Sequence, residues 1–200
     1  MTNQIIIYDT ETTGIYRPKL EAGDPSQPHL VQLSAVVVNP DEARVVQSMN
    51  LIVKPDGWEI PPEVVDIHGI TTAQAKDEGL PEKLVIETFL RLWDEKLLVG
   101  HNEPFDRNII SSSIARNFDP NSPVLTAWRN CEGFCTMRIA KPIVQAKGAS
   151  GRLKFPKLQE AYEYFFGHQY DRAHSANADV IATLQLYMAL AEHEGEALKL

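Results

Sequence analysis

The sequence predicts an α/β fold in which helices flank a mixed sheet, and the order of two local patterns carries this prediction. Three strand-like segments come first, at residues 5–8, 30–38 and 45–53, with the turn signal Asn39-Pro40-Asp41 before the third. Beyond residue 80 the hydrophobic spacing becomes that of helices, which alternate with short apolar runs. Strands first, followed by strands alternating with helices, are typical of a mixed sheet with helices packed on it.

The first three segments are expected to form a meander. Residues 5–8 are continuously apolar, as in a strand that is buried on both faces. Between the first two strands, residues 15–28 contain three prolines and a glycine, so we interpret them as an exposed inserted loop. In the second strand, apolar residues recur at every other position and face one side of the sheet: Val31, Leu33, Ala35 and Val37.

The later elements are predicted from apolar spacing and from proline. Helices are expected to begin near Pro81 and near Pro104, with a short buried strand at residues 97–100 between them. A candidate last strand and two helices follow, at residues 131–136, 157–166 and 175–193. The final helix is expected to bury one stripe of residues, Ile181, Leu184, Met188 and Ala191.

The composition fits one domain. The chain has 200 residues, of which 44% are hydrophobic, enough for one sizeable core at residues 4–192. No apolar run approaches the ~20 residues of a membrane span, so we expect no membrane association. Cys131 and Cys135 are too few for a disulfide framework and lack the second Cys/His pair of a zinc site. Two buried or half-buried thiols favour a reducing, cytoplasmic location.

The net charge of −8 argues at first against a polyanionic partner. The charges are unevenly distributed, however, because residues 138–157 contain six basic residues and no acid. That leaves 13 basic against 27 acidic residues in the rest of the chain. The basic segment fits either a solvated loop or a surface that contacts phosphates, and the sequence leaves both open.

Two carboxylates directly follow the first strand. Asp9 and Glu11 are two residues apart, so in an extended chain they point to the same side, about 6.6 Å apart. The two negative charges repel each other unless a cation lies between them. Oxygen ligands such as these suit Mg²⁺ or Mn²⁺. Pairs of this kind are also common on protein surfaces without any function. Here the pair follows a buried strand, which favours a position at a cleft.

Two further acids lie in the first turn of predicted helices. Asp106 and Asp179 each have an ordinary explanation, since a negative charge stabilises a helix N-terminus. His174 lies in the loop before the last helix, five residues ahead of Asp179, where its ring could reach a water molecule. Each feature is weak alone, and the functional hypothesis rests on the set.

Three motifs contain this set, and together they resemble those of the DnaQ-like, or DEDDh, exonuclease family, in particular its proofreading epsilon subunit and exonuclease X branches. The motifs are Tyr8-Asp9-Thr10-Glu11-Thr12-Thr13-Gly14, Val99-Gly100-His101-Asn102-Glu103-Pro104-Phe105-Asp106 and His174-Ser175-Ala176-Asn177-Ala178-Asp179. Two further stretches are similar to family segments, Ile60-Pro61-Pro62 through His68-Gly69-Ile70-Thr71 and Cys135-Thr136-Met137-Arg138. The resemblance covers nearly the whole chain, with its motifs in the family's order.

The resemblance implies a ribonuclease H-like fold, a five-stranded mixed sheet with strand 2 antiparallel and helices on both faces. It implies 3′→5′ hydrolysis of terminal phosphodiester bonds by two divalent ions, Mg²⁺ or Mn²⁺ as substitute, with release of nucleoside 5′-monophosphates. By position, Asp9 would bridge the two metals, Glu11 and Asp179 would complete the first site, and Asp106 would hold the second. His174 would act as general base.

The resemblance also implies a site for the terminal nucleotide, formed by Thr12, His68, Asn102 and Phe105. Phe105 could stack on a base, but as a helix residue it could equally face the core. His68 could equally be a loop histidine without a ligand. The sequence departs from the family pattern in the long 15–28 loop and in Gln32, where many relatives have Glu.

Four interpretations of the resemblance are compared. The substrate is the 3′ end of single-stranded or frayed DNA, or alternatively the 3′ end of RNA, since one chain does not reveal contacts to the sugar 2′ position. A nucleic-acid-binding protein without activity is disfavoured, because all five catalytic positions are filled. A polymerase partner or a homodimer is possible, although the short segment after the last helix favours a free-standing enzyme.

Overall fold

The computed structural model describes residues 4–171, 173 and 175–194 of the chain. Within them, five strands form one mixed sheet in the order β3-β2-β1-β4-β5. β1 lies at the centre, antiparallel to β2 and parallel to β4. The strands are β1 (Ile5–Thr12), β2 (Leu30–Asn39), β3 (Arg44–Ile52), β4 (Leu97–Gly100) and β5 (Gly133–Cys135). The predicted mixed sheet with an antiparallel second strand is confirmed.

β1 extends four residues beyond its predicted apolar part. Asp9 and Glu11 therefore lie within the paired region of the strand, where Asp9 is opposite Ser34 and Glu11 is opposite Gln32. The register shifts between Glu11 and Thr12, at the point where the sheet ends and the inserted loop begins. This irregularity places the two carboxylates at the rim of the sheet.

Helices cover both faces of the sheet. They are α1 (Pro62–His68), α2 (Thr72–Glu78), α3 (Glu82–Trp93), α4 (Glu103–Asn117), α5 (Pro123–Asn130), α6 (Thr136–Val144), α7 (Leu158–Phe166) and α8 (Ala176–Glu194). α3, α4 and α5 pack on one face, over a core that includes Tyr8, Phe89 and Ile109. α8 packs on the other face, where Val180 and Tyr187 contact Ile5 and Ile7.

The predicted single core stripe of α8 is wrong. Ile181 is 40% exposed, whereas Ala182, Leu186 and Leu190 are buried. α8 is covered twice, by the sheet through Val180 and by α6 and α7 through Leu186 and Leu190. A helix that is packed on two sides is apolar on both, and its sequence then shows no single stripe. Of the other predicted stripe residues, Leu184 and Met188 pack partly against the sheet-facing cluster and Ala191 is half-buried.

Four short helices were not predicted: α1, α2, α5 and α6. Each has seven to nine residues. Two turns of helix carry too few apolar positions to define a period, and α1 has no buried residue at all. Its C-terminus is marked instead by Gly69, which has φ 78° and caps the helix in the left-handed conformation.

The inserted loop is irregular, as predicted, but it is held by one buried side chain. The Gln27 amide is 2% exposed and spans the loop. It accepts a hydrogen bond from the Arg17 backbone N–H at 3.0 Å and donates to the Arg17 carbonyl at 2.9 Å. It also donates to the Glu21 carbonyl at 3.2 Å. The loop therefore has a defined shape, although Ile15 at its start is 83% exposed.

Two further observations concern the apolar length of the helices and the state of the cysteines. No helix in the described ranges is long and apolar enough to cross a membrane. Both cysteines are free thiols, with Cys135 buried and Cys131 half-buried, as predicted.

Candidate catalytic carboxylate site

Three of the predicted carboxylates converge at the rim of the sheet. Asp9, Glu11 and Asp179 each place one oxygen so that all three oxygens lie within 4.8 Å of one another. Asp9 and Glu11 share the face of β1 that α8 covers, because residues two apart on a strand point to the same side. Asp179 reaches them from the first turn of α8.

The electrostatics of this cluster are unfavourable for the protein alone. Burial, followed by the negative charges of Asp106, Asp179 and Glu11, raises the pKa of Asp9 well above its usual range. Burial, followed by the negative charges of Asp179 and Asp106, raises the pKa of Glu11 to about 8. Oxygen donors that repel one another fit a hard divalent cation, which would hold all of them ionised.

Asp106 lies nearby but outside the group of three. Its Oδ1 accepts two hydrogen bonds from Thr10, at 3.0 Å from the backbone N–H and at 2.6 Å from the hydroxyl. Burial raises the pKa of Asp106 to about 7, while these two hydrogen bonds act in the opposite direction. Its charge acts on Asp9, so all four predicted carboxylates belong to one electrostatic unit.

A tyrosine that sequence reasoning missed completes this unit. The Tyr170 hydroxyl donates a hydrogen bond of 2.7 Å to Asp179 Oδ1. Burial, together with the charges of Asp179, Asp9 and Glu11, raises the pKa of Tyr170, so the hydroxyl keeps its proton and stays a donor. Tyr170 belongs to none of the three motifs, and no local pattern in the sequence marks it.

His174, the predicted general base, lies outside the described residues. Ser175 follows it, and the Ser175 carbonyl accepts a hydrogen bond of 3.0 Å from the backbone N–H of Asp179. The role of His174 stays a prediction.

Among the predicted substrate contacts, His68 lies beside the backbone of Thr12. Its Nδ1 accepts a hydrogen bond from the Ile70 backbone N–H at 3.1 Å, so the ring proton is on Nε2. Nε2 is buried and forms no hydrogen bond of regular geometry with the described residues. Burial lowers the pKa of His68, and the contact with the Thr12 backbone acts in the opposite direction. A ligand acceptor with better geometry would stabilise this N–H.

The other three predicted contacts differ in what they can offer a ligand. Thr12 uses its hydroxyl locally, donating to the Gly14 carbonyl at 2.7 Å. Asn102 is exposed and precedes α4 with φ 66°, a backbone conformation that costs energy in most residues. Phe105 is half-buried and packs against the core on the α3 and α4 face, so its core-facing interpretation has direct support.

A buried network fixes α4 beneath the carboxylates. Glu103 Oε1 accepts hydrogen bonds from the Tyr8 hydroxyl at 3.0 Å and from Arg107 Nε at 2.6 Å. Arg107 Nη1 in turn donates to the Cys131 carbonyl at 2.8 Å. A Cβ on Gly133 would overlap the Arg107 guanidinium, so the absence of a side chain there lets β5 approach. Asp106 is thereby held between two anchored residues of the same helix turn.

Comparisons with known proteins match the chain to one family and to several relatives. A sequence model of the family described as Exonuclease matches residues 6–187. A Mycobacterium tuberculosis protein, whose name describes a bifunctional exonuclease/endonuclease, is 28% identical over 95% of this chain and 27% of its own length. The DNA polymerase III subunit epsilon of Rickettsia prowazekii is 28% identical over 55% of this chain and 44% of the subunit.

The sheet and its helices also match a solved structure. The structure of E. coli Exonuclease I in complex with a dT13 oligonucleotide aligns with a TM-score of 0.77 and 21% identity, over 98% of this chain and 43% of that chain. At this identity the likeness shows a shared fold. The chain spans less than half the length of each of these three proteins.

Proposed function

Given that this chain belongs to the exonuclease family, in its DnaQ-like group with the ribonuclease H-like fold, we propose that it is a metal-dependent 3′→5′ exonuclease. Its substrate is the 3′ end of single-stranded or frayed DNA, and its products are nucleoside 5′-monophosphates. The observation that carries the proposal is the convergence of Asp9, Glu11 and Asp179 within 4.8 Å at the rim of the sheet. The DNA preference is supported by the names of a relative, a DNA polymerase subunit, and of a structural neighbour bound to dT13.

The all-oxygen donor set supports a hard divalent metal. Asp9, Glu11 and Asp179 would hold one divalent ion, Mg²⁺ or Mn²⁺, and Asp106 with Asp9 would hold a second. When bound, such ions stabilise the negative charge that develops on the phosphate and on the leaving 3′ oxygen. The acidic cluster attracts the ions, and the ions in turn cancel the charge that would otherwise repel a phosphate.

The chain's own residues supply the other parts of the reaction. His174 takes a proton from the attacking water, for which an unperturbed pKa near ~6.5 is suitable. The neutral His68 ring donates its Nε2–H to the terminal nucleotide. Tyr170 holds Asp179 in position through the 2.7 Å hydrogen bond. Asn102 lies exposed between β4 and α4, where it can contact the same nucleotide.

The test is a degradation assay with 5′-labelled single-stranded DNA and RNA of the same sequence, in Mg²⁺, in Mn²⁺ and in chelator. Wild type should give a metal-dependent ladder that shortens from the 3′ end, and Asp9→Ala should give none while remaining folded. Asp77→Ala, which removes an exposed carboxylate from α2, is the matched control and should keep full activity. Stronger degradation of the RNA would show that RNA is the preferred substrate. If neither the DNA nor the RNA were cleaved, the proposal would be wrong.

The general base has its own test. His174→Ala should lower kcat at neutral pH by about 10²–10⁴-fold, the usual contribution of acid–base catalysis. Mn²⁺ affinity, measured by calorimetry on the same variant, should change little, because His174 is not among the proposed metal ligands. A variant that keeps the wild-type rate would remove His174 from the mechanism.

A further inference from the structure

The basic segment seen in the sequence contains a small hairpin. Residues 146–156, the basic hairpin, pair through a bridge between Lys147 and Leu153. The Gly148 N–H donates to the Arg152 carbonyl, and the Lys154 N–H donates to the Ala146 carbonyl, both at 2.9 Å. The hairpin therefore has a defined backbone shape.

The hairpin is attached beside the carboxylate site. His101 Nε2 donates to the Pro156 carbonyl at 3.0 Å, and Nδ1 of the same ring lies 3.0 Å from the Thr136 hydroxyl. His101 is two residues beyond Val99, which pairs with Ile7, and Asp9 is two residues beyond Ile7. The attachment point is thus at the same end of the sheet as Asp9, one strand away, and neighbouring strands are about 4.8 Å apart.

Its surface combines exposed apolar groups with unpaired positive charge. Phe155 is 47% exposed and Leu153 is 56% exposed. Lys141 Nζ lies 4.2 Å from the centre of the Phe155 ring. Lys147 and Arg152 are exposed and form no ion pair with the described residues. The surrounding residues 138–157 contain no acid, on a chain of net charge −8.

We propose that the basic hairpin binds the single strand that leads to the active site, with Phe155 stacking on an unpaired base and Lys147 and Arg152 contacting phosphates. This inference rests on the proposed nuclease function. A base presents its flat face to an exposed aromatic ring only when it is unpaired, and such stacking tolerates any sequence. The cations neutralise phosphates of the same strand and release its counterions. The hairpin thus selects single strands and does not take part in hydrolysis.

Two substrates of different length separate strand binding from catalysis. A dT20 oligonucleotide extends beyond the active site, whereas the p-nitrophenyl ester of thymidine 5′-monophosphate occupies the active site alone. Phe155→Ala and the double variant Lys147→Glu/Arg152→Glu should raise KM for dT20 by about 10-fold, which corresponds to the loss of one or two nucleotide contacts. Both variants should hydrolyse the ester within about twofold of the wild-type rate. Equal losses on both substrates would overturn the proposal.

Matched controls test whether location matters. Lys76→Glu/Arg91→Glu makes the same change in net charge at exposed positions on α2 and α3, and Tyr164→Ala removes a 54% exposed aromatic ring from α7. Neither should alter KM for dT20. A control that weakened binding as much as the hairpin variants would indicate general charge attraction and would overturn the proposal.

A binding measurement keeps the inference separate from the proposed function. Fluorescence anisotropy with labelled dT20 on Asp9→Ala, in chelator, requires no catalysis. The slope of log Kd against log salt should fall by about 1.4 in the charge variant, as expected when two single-strand phosphate contacts are lost. If wild type hydrolysed nothing but the hairpin variants still lost binding, only the nuclease proposal would fail. Unchanged binding in both hairpin variants would refute the hairpin's role.

Discussion

At the scale of single residues, the contact between Tyr170 and Asp179 is the most informative one in the carboxylate site. A carboxylate that binds a metal through one oxygen is oriented by a hydrogen bond to its other oxygen. Residues that donate such hydrogen bonds change the metal affinity of the site. The Tyr170 hydroxyl serves Asp179 Oδ1 in this way, and the raised pKa of Tyr170 keeps its proton in place. Tyr170 is therefore a positioning residue for the proposed metal site.

We expect Tyr170→Phe to raise the Mn²⁺ concentration needed for half-maximal activity by about 10–100-fold, because the released Asp179 carboxylate is less well oriented. Metal titrations of the rate, with calorimetry on the same samples, measure the effect. Tyr162→Phe is the matched control, since its hydroxyl bonds Gln185 and not a carboxylate of the site. If Tyr170→Phe had the same metal titration as wild type, the contact between Tyr170 and Asp179 would not contribute to metal binding.

The sequence predicted the carboxylates but not this tyrosine, and geometry explains the difference. Asp9 and Glu11 share a face by strand parity, and Asp179 stands in a first helical turn, so local rules place each of them. Tyr170 reaches Asp179 across nine residues through the path of a loop, and no local rule fixes such a path. Phe105 shows a related limit. Its position in a motif did not reveal whether its ring would stack on a base or pack against the core, and the structure packs it against the core.

At the scale of elements, the inserted loop after β1 depends on Gln27. This side chain accepts a hydrogen bond from the Arg17 N–H and donates to the carbonyls of Arg17 and Glu21, with a longer contact of 3.4 Å to the Leu20 carbonyl. Composition alone predicted only an exposed irregular segment at 15–28. The shape of the loop follows from one buried amide, which no hydrophobic pattern reveals.

We expect Gln27→Ala to destabilise the protein by roughly 2–3 kcal/mol, because buried backbone groups lose their partners. The loosened loop should be cleaved faster by trypsin after the exposed Lys19, and this rate is the direct measurement. Gln47→Ala, at an exposed position in β3, should leave both the stability and the cleavage rate unchanged. Cleavage at the wild-type rate in Gln27→Ala would contradict the pinning role.

Helices that pack on one side were easier to predict than a helix that packs on two. α3 buries one side, which includes Val85 and Phe89, and it was predicted from its apolar spacing. α8 lies between the sheet and two other helices, so its buried residues include Leu186 and Leu190 outside the predicted stripe. The short helices were missed because two turns contain too little sequence to show a period.

At the scale of the whole molecule, the buried carboxylates make stability depend on pH. Burial raises the pKa of Glu11 to about 8 and that of Asp106 to about 7. A raised folded pKa means that the folded state holds protons that the unfolded chain has already released. The stabilisation from these groups is therefore present at low pH and is lost as the pH rises through their folded pKa values. His29, His68 and His101 have lowered pKa values and act oppositely, but only below about pH 6.5.

We expect the Tm measured in chelator to fall between pH 6.5 and pH 8, the window that isolates the carboxylates. Mg²⁺ should raise the Tm most at pH 8 and flatten the pH dependence, because bound cations favour the ionised carboxylates. Asp9→Asn should reduce the fall in chelator by removing one like charge, whereas Asp77→Asn should not. A Tm that stayed level from pH 6.5 to pH 8 without metal would contradict the raised pKa values of Glu11 and Asp106.

The order along the chain of the five strands and of α3, α4, α7 and α8 was predicted because local and global signals agree there. A central β1 between antiparallel β2 and parallel β4 follows from a meander and then an alternation of strands and helices. The sequence did not predict how α4 is fixed beneath β1, since the bonds among Tyr8, Glu103 and Arg107 join segments far apart in the chain.

That anchoring has a consequence for how such a protein can evolve or be engineered. Glu103 and Arg107 secure the first turn of α4, and Asp106 stands on the same turn. A substitution that shifted Glu103 or Arg107 would therefore also move Asp106. Under the proposed function, changes that alter thermal stability through this anchor should also alter the catalytic rate, and compensating substitutions should fall in the same helical turn or in Tyr8.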